Sequence, residues 1–229
     1  MGAPVRIGVI DSGCAAGHGV HVAAAAAFVL ADGGVCRAAA QPDALGHGSR
    51  IVDVLLHFAP QAELLVAQVF RARLATTPLQ VAAAVDGAVA NGAHIINLSL
   101  GLRAPRPVLE AACARACAAG VVLCAAAPTR GQAVYPAAFP GVLRVTADAR
   151  CARDELAALA AAHADFGAHV RPLDDALSGA GSSMACAHVS GLAAQYFAAG
   201  GGADSLRAWL AAQARYHGVE NRGGAVRFR

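Results

Sequence analysis

Apolar and polar positions change rhythm several times along this chain, and each change marks an element. Val5 to Ile10 is a short apolar run that ends in Asp11-Ser12-Gly13, which predicts a strand with a carboxylate at its C-terminal edge. Gly46-His47-Gly48-Ser49 opens a helical run from Ile51 to Phe58. There Arg50, Asp53 and His57 alternate with Ile51, Val54 and Leu55, an amphipathic pattern that Ala59-Pro60-Gln61-Ala62 ends. Leu64 to Phe70 predicts a buried strand, and Pro78 to Ala90 a helix with proline in its first turn, closed by Asn91-Gly92. Ala93 to Leu100 predicts a strand, Val108 to Ala119 a helix ended by Gly120, and Val121 to Ala126 another strand. Met184 through Val189, Leu192 and Ala193 to Phe197 has helical spacing. Asp204 to Arg215 predicts a closing helix with Asp204 as its cap, before a polar, glycine-bearing tail from His217 to Arg229 in which a final strand is left open. Strands that alternate with helices imply an α/β fold, a mostly parallel central sheet with helices on both faces. Right-handed crossovers then bring the strand ends at Asp11 and Leu100 to one edge, the edge where chemistry collects in open α/β sheets.

Composition narrows the class. The 229 residues suffice for a single domain, 1–229, with a substantial core. Apolar residues make up 57% and mean hydropathy is +0.49, which raises the question of a membrane protein. A span needs about 20 residues with few charges, whereas Asp86 interrupts Val81 to Ile96 and Arg115 interrupts Ala111 to Ala127. The apolar excess is mostly alanine. A net charge of +3 with only 14% charged residues is too sparse for a nucleic-acid surface. No basic segment followed by an apolar one stands near Met1, and the first strand begins almost at once, so neither a signal peptide nor a pro-segment is expected. Seven cysteines without paired spacing read as small core residues; Cys113 and Cys117 lack a second ligand pair for zinc. Together these features favour the cytoplasm.

Three stretches carry chemistry. In Gly181-Ser182-Ser183-Met184-Ala185, Ser183 stands at the start of a buried helix, where free amides and the helix dipole favour negative charge. A serine there is either a simple cap or a nucleophile with its oxyanion. Asp11, His47 and Ser183, each beside small residues and each at an element end, are the parts of a charge-paired nucleophile system.

The blocks Val9-Ile10-Asp11-Ser12-Gly13, Gly46-His47-Gly48-Ser49 and Gly181-Ser182-Ser183-Met184-Ala185 resemble those of subtilisin-like serine peptidases, in that family's chain order of Asp, His and Ser. Ile95-Ile96-Asn97-Leu98-Ser99-Leu100-Gly101 is similar to the strand whose end lines the family's substrate cleft. The resemblance implies a three-layer subtilisin-like fold and a serine endopeptidase. Ser183 would be the nucleophile, His47 the base and Asp11 the group that orients His47. His188 would be a core or supporting residue. Ser99, Leu100, Gly101 and Ala125, Ala126, Ala127 would line the first specificity pocket. Arg71 and Arg73, at the cleft edge, would either favour acidic substrate side chains or be ordinary surface charges. The resemblance also implies that 17–40 holds an extended segment, although the alanines of Val22 to Leu30 favour helix by propensity.

The chain departs from the family in three places. It is short. His57-Phe58 passes directly into Ala59-Pro60 where relatives carry a calcium-binding loop, so no metal or other cofactor is expected. Ala125-Ala126-Ala127-Pro128-Thr129 stands where relatives end in Gly-Asn, so by ungapped count Thr129 takes the place of the asparagine that donates to the oxyanion. Thr129, Gln132 or the Ser183 amide could serve instead. More narrowly, the whole chain resembles the compact subtilisin-like peptidase of quinohemoprotein amine dehydrogenase maturation. That implies an intracellular enzyme that removes a leader from a peptide or protein precursor, with a peptide-modifying radical enzyme as a partner. The other readings are a degenerate peptide-binding module and a peptide ligase or cyclase of the same fold.

Overall fold

The computed structural model describes residues 3–220. The chain runs β1 (Arg6–Asp11), a short 3-10 turn (Ala16–His21), β2 (Val22–Ala31), β3 (Gly34–Ala38), α1 (His47–Phe58), β4 (Glu63–Gln68), α2 (Pro78–Ala90), β5 (Ile95–Leu98) and α3 (Pro107–Ala118). It continues through β6 (Val122–Ala126), β7 (Leu143–Ala147), β8 (Leu156–Ala158), β9 (Phe166–Ala168), α4 (Ser182–Ala198), α5 (Ala203–Gln213) and β10 (Tyr216–His217). All strands join one sheet in the order β10-β8-β9-β7-β6-β5-β1-β4-β2-β3. From β9 to β2 every neighbouring pair is parallel; β3 runs antiparallel to β2 and β8 antiparallel to β9, while β10 lies parallel to β8.

The sheet is covered on both faces. Ile96, Leu98 and Leu123 pack with Val81 and Val85 of α2 and Leu109 and Ala112 of α3. Their sequence neighbours Ile95 and Cys124 turn the other way, onto Ile51 and Leu55 of α1, Met184 and Val189 of α4 and Leu210 of α5. Alternation along each strand supplies both faces. β1 lies where the chain reverses direction across the sheet, with β4 on one side and β5 on the other. The carboxyl ends of β1, β5, β6 and β7 therefore point to one edge, and a crevice opens at the switch point beside β1.

Local choices follow from the residues. Thr77 caps α2 reciprocally: its hydroxyl accepts from the Gln80 amide at 3.3 Å, and the Thr77 amide donates to Gln80 Oε1 at 3.1 Å. The alanine-rich segment Val22–Ala31 is a strand despite its helix propensity, because pairing on both sides outweighs the propensity difference. Asp204, expected as a cap, instead occupies the first turn of α5; Gly202 is the cap residue, and no side chain bonds there. The short strands β3, β8, β9 and β10 leave no periodic signal in sequence. Most of the tail from His217 to Arg229 lies outside the described residues.

Candidate active site

Asp11 ends β1 fully buried, and its Oδ1 gathers three donors: the Ser12 amide at 2.7 Å, the Ser12 hydroxyl at 3.2 Å and His47 Nδ1 at 2.7 Å. An ionised carboxylate only accepts, so Nδ1 carries a proton and Nε2 of the neutral ring is left as the acceptor. That is the tautomer a general base needs.

His47 reaches Asp11 because α1 starts very close to the turn after β1. Any Cβ on Gly48 would run into the carbonyl of Gly13, so only glycine permits this approach. The Gly48 amide donates to Ser12 Oγ at 2.9 Å, which ties the helix start to the residue after Asp11. Gln68, at the end of β4, holds the same turn by donating from Nε2 to the Ser12 carbonyl at 2.8 Å.

Asp43 completes the helix start. Its Oδ1 accepts the Gly46 amide at 2.9 Å, and its Oδ2 accepts the amide and hydroxyl of Ser49 at 2.8 and 2.6 Å. It caps α1 from three residues outside, a role that carries about 1 kcal/mol. Burial alone would raise its carboxyl, but the hydrogen bonds from Ser49 and Gly46 outweigh that and hold it below its ordinary value. Burial would likewise lower the pKa of His47, yet the hydrogen bond and charge of Asp11, with the charge of Asp43, hold it above the ordinary value. Asp43→Asn removes one of those charges. The imidazolium is then less favoured, His47 gives up its proton at lower pH, and the acid limb of kcat/KM moves to lower pH. A pH profile whose acid limb stays in place or moves upward contradicts this.

Ser183 is the second residue of α4. Gly181 precedes the helix at φ +142°, a conformation open to glycine, and its carbonyl takes the amides of Met184 and Ala185. The Ser183 amide keeps no backbone partner among the described residues and stands at the positive end of the helix. The Ser183 hydroxyl donates to the Ser99 carbonyl at 3.3 Å rather than to His47. A buried polar chain fixes this corner: Ser190 Oγ donates to Asn97 Oδ1, Asn97 Nδ2 to Ser99 Oγ, and Ser99 Oγ to the Ser183 carbonyl, at 3.0, 3.0 and 2.9 Å. Ser182 fastens the other side of the helix start by accepting from the Ala147 amide of β7 at 3.3 Å.

His47 and Ser183 line one cavity of about 300 Å³, together with Phe70, Leu74, Thr76 and Ser99 to Leu102. Ser99, Leu100 and Gly101 are thus brought to the same cavity as His47 and Ser183. Ala125, Ala126 and Ala127 do not reach this cavity, because their side chains are buried in the core. Val134 packs against the backbone of Gly101 and against the core that holds Ala125 and Ala127, and Leu102 pairs with Tyr135 through two backbone hydrogen bonds. Thr129 is exposed and lines a different cavity, of about 540 Å³, with Arg130, Thr146 and Asp148. Its side chain makes no hydrogen bond among the described residues, and it lines no part of the His47–Ser183 cavity. Arg71 and Arg73 are exposed just before Leu74.

Other groups are set aside by their surroundings. His188 is fully buried, with Nε2 on the Arg171 carbonyl at 3.3 Å, and burial pushes its pKa down to about 4, so it stays neutral behind the site. All seven cysteines are free. Burial pushes Cys124 up to about 11 and Cys186, three residues from Ser183, well above the ordinary thiol value, which keeps both as unreactive thiols. Among the described residues no cluster of His, Cys, Asp or Glu is placed to hold a metal ion. No helix there is long and apolar enough to cross a membrane.

An arrangement of an oriented imidazole, a hydroxyl and an unpaired amide at one cavity can activate an oxygen nucleophile and hold the oxyanion it creates. The sequence profile described as Subtilase family matches residues 10–226. The chain belongs to the subtilase family. Among curated relatives of this subtilase, subtilisin DY of Bacillus licheniformis is 29% identical over 215 residues, 84% of this chain and 76% of the relative. A thermostable alkaline protease of Halalkalibacterium halodurans is 32% identical over 158 residues, 64% of this chain but only 42% of the relative's length. Among solved structures, Sphericase superposes with a TM-score of 0.69 at 24% identity, covering 92% of this chain and 83% of its own. The prenylagaramide maturation protease PagA gives 0.64 at 21%, covering 90% and 82%. These two likenesses establish the fold.

Sequence alone assigns no role to Asp43 or Ser190, and shows Ser12 and Asn97 only as members of their blocks. An aspartate just before a helical run is a cap signal that could have flagged Asp43. Nothing local in sequence joins Ser190 to Asn97, which lie 93 residues apart.

Proposed function

We propose that the chain is a serine endopeptidase dedicated to one precursor, from which it removes a leader peptide. The observation that carries this reading is the single cavity onto which Ser183 and the Asp11-oriented His47 both open. In this reading Ser183 Oγ leaves the Ser99 carbonyl and turns to His47. It then attacks the scissile carbonyl as His47 Nε2 takes its proton, and the Ser183 amide holds the oxyanion. His47 returns the proton to the leaving amine, and water then releases the acyl group by the same steps in reverse roles. Asp11 keeps the ring in the needed tautomer and stabilises its charged form. All of this runs within one domain, 1–229. Its setting in this reading is the cytoplasm, where a dedicated specificity avoids general proteolysis.

The fold likeness to a protein named a maturation protease supports the processing role. The narrower reading takes as precursor the small cross-linked subunit of quinohemoprotein amine dehydrogenase, with the radical enzyme that modifies it as a partner. The test is incubation with that precursor in its unmodified and its cross-linked form, followed by mass spectrometry. Release of an intact leader at a single site is expected; no release from either form removes the narrower reading.

A further inference from the structure

The carboxylates of this protein are unevenly placed. Every basic residue other than histidine is arginine, and many of these arginines are paired: Arg6 with Glu63, Arg115 with Asp86, Arg144 with Asp165, Arg150 with Asp148, Arg153 with Asp175. The walls of the His47–Ser183 cavity differ. One wall is Leu74 to Thr76 and the other is Leu100 to Leu102. Arg71 and Arg73 precede the first and Arg103 follows the second; all three are exposed, and their side chains have no hydrogen-bond or carboxylate partner among the described residues. Between Glu63 and Asp86, and again between Asp86 and Glu110, the sequence has no acidic residue to offer them.

The cavity itself is unfinished in two further ways. Leu74 is 64% exposed although its side chain forms part of the apolar wall with Phe70 and Leu100. Thr76 lines the same space with a buried hydroxyl that has no partner, a condition that costs free energy until something bonds to it. An apolar wall that needs covering, an unpaired hydroxyl beside it and exposed arginines flanking both walls in sequence describe one kind of occupant.

We infer that the cleft selects an acidic peptide. Resting on the peptidase reading above, the proposal is an extended substrate segment that seats an apolar side chain between Leu74 and Leu100 to Leu102. Its flanking glutamates or aspartates then meet Arg71 and Arg73 on one side and Arg103 on the other. Guanidinium groups suit carboxylates because their donors form a fork that matches the two oxygens. Each exposed pair contributes little alone, but three act on one ligand, and the cleft's own carboxylate, Asp11, is buried and engaged by His47.

The test uses the Ser183→Ala protein, which holds peptides without turnover, and two fluorescein-labelled peptides. One carries a central leucine flanked by glutamates; the other has glutamines in their place. Fluorescence anisotropy at about 20 mM salt is expected to give about 10-fold tighter binding of the glutamate peptide. At about 0.5 M salt the advantage is expected to vanish, because screening at that strength acts within a few ångströms. Arg71→Gln/Arg73→Gln/Arg103→Gln is expected to bring the glutamate peptide down to the affinity of the glutamine one. Equal affinities at low salt, a preference for glutamine, or binding of neither peptide overturns the inference. A fluorophosphonate adduct on the unsubstituted protein tests the peptidase reading separately. An adduct without charge preference sinks only the acidic peptide, and a charge preference without an adduct sinks only the peptidase.

Discussion

Ser183→Ala is expected to lower turnover of any cleaved peptide about a million-fold, the loss that follows when a nucleophile of this kind is removed and only the oxyanion site and binding remain. The same change should abolish labelling by a fluorophosphonate, read as one covalent adduct by intact mass on the parent protein and none on the variant. The structure explains why the effect should be chemical and not structural. The Ser183 side chain makes one hydrogen bond, to the Ser99 carbonyl, and the helix start is held by groups that alanine leaves in place: the Ser99 hydroxyl on the Ser183 carbonyl, and Ser182 on β7. Thermal stability should therefore change little. Full labelling of the alanine variant would place the nucleophile elsewhere. No labelling of the folded parent would mean that Ser183 is not activated.

Asp11→Asn is expected to cost turnover heavily, up to about 10,000-fold, the loss seen where such a change also imposes the wrong tautomer, and here by a route particular to this site. All three donors around Asp11 converge on Oδ1, and Oδ2 is buried without a partner. An asparagine can put its oxygen at the Oδ1 position and keep every one of those bonds, including the one that sets the His47 tautomer. What it loses is the charge that stabilises the imidazolium in the transition state, and it buries an unpaired amino group where Oδ2 stood. The loss should thus fall on kcat, with KM nearly constant. With the negative charge gone, the residual activity should have its acid limb at lower pH. An unchanged acid limb would mean that Asp11 does not act through the charge of His47.

The elements that sequence predicts well here are those whose own pattern determines them. Pro78–Ala90 carries its start signal, Thr77-Pro78 with Gln80, and its stop, Asn91-Gly92, so its bounds match. Glu63–Gln68 and Val122–Ala126 are apolar runs too short for helices. By contrast, Val22–Ala31 is a strand only because β4 and β3 flank it, which its ten residues do not state. The site divides in the same way. Asp11, His47 and Ser183 sit beside glycines whose necessity is visible, since Gly48 must let Gly13 approach and Gly181 must take a positive φ. A residue count along a loop puts Thr129 at the oxyanion position, and a count does not show which of two cavities the loop borders. Ala125 to Ala127 end a strand at the right edge, yet alanine side chains there fill core space. The supports from Asp43 and Ser190 depend on distances between segments that only the fold brings together.

The order of the parts along the chain has a consequence for how this protein comes into being. Asp11 and His47 belong to the first quarter of the polypeptide, while Ser183 begins a helix whose ten buried residues cover the α1 face of the sheet. During synthesis Asp11 and His47 emerge long before Ser183. The helix that brings Ser183 also closes the apolar layer over β5, β6 and β7. The Asp11, His47 and Ser183 arrangement and a completed core are thus acquired in one event, and in the peptidase reading a nascent or half-folded chain has no competent serine with which to attack itself or its neighbours.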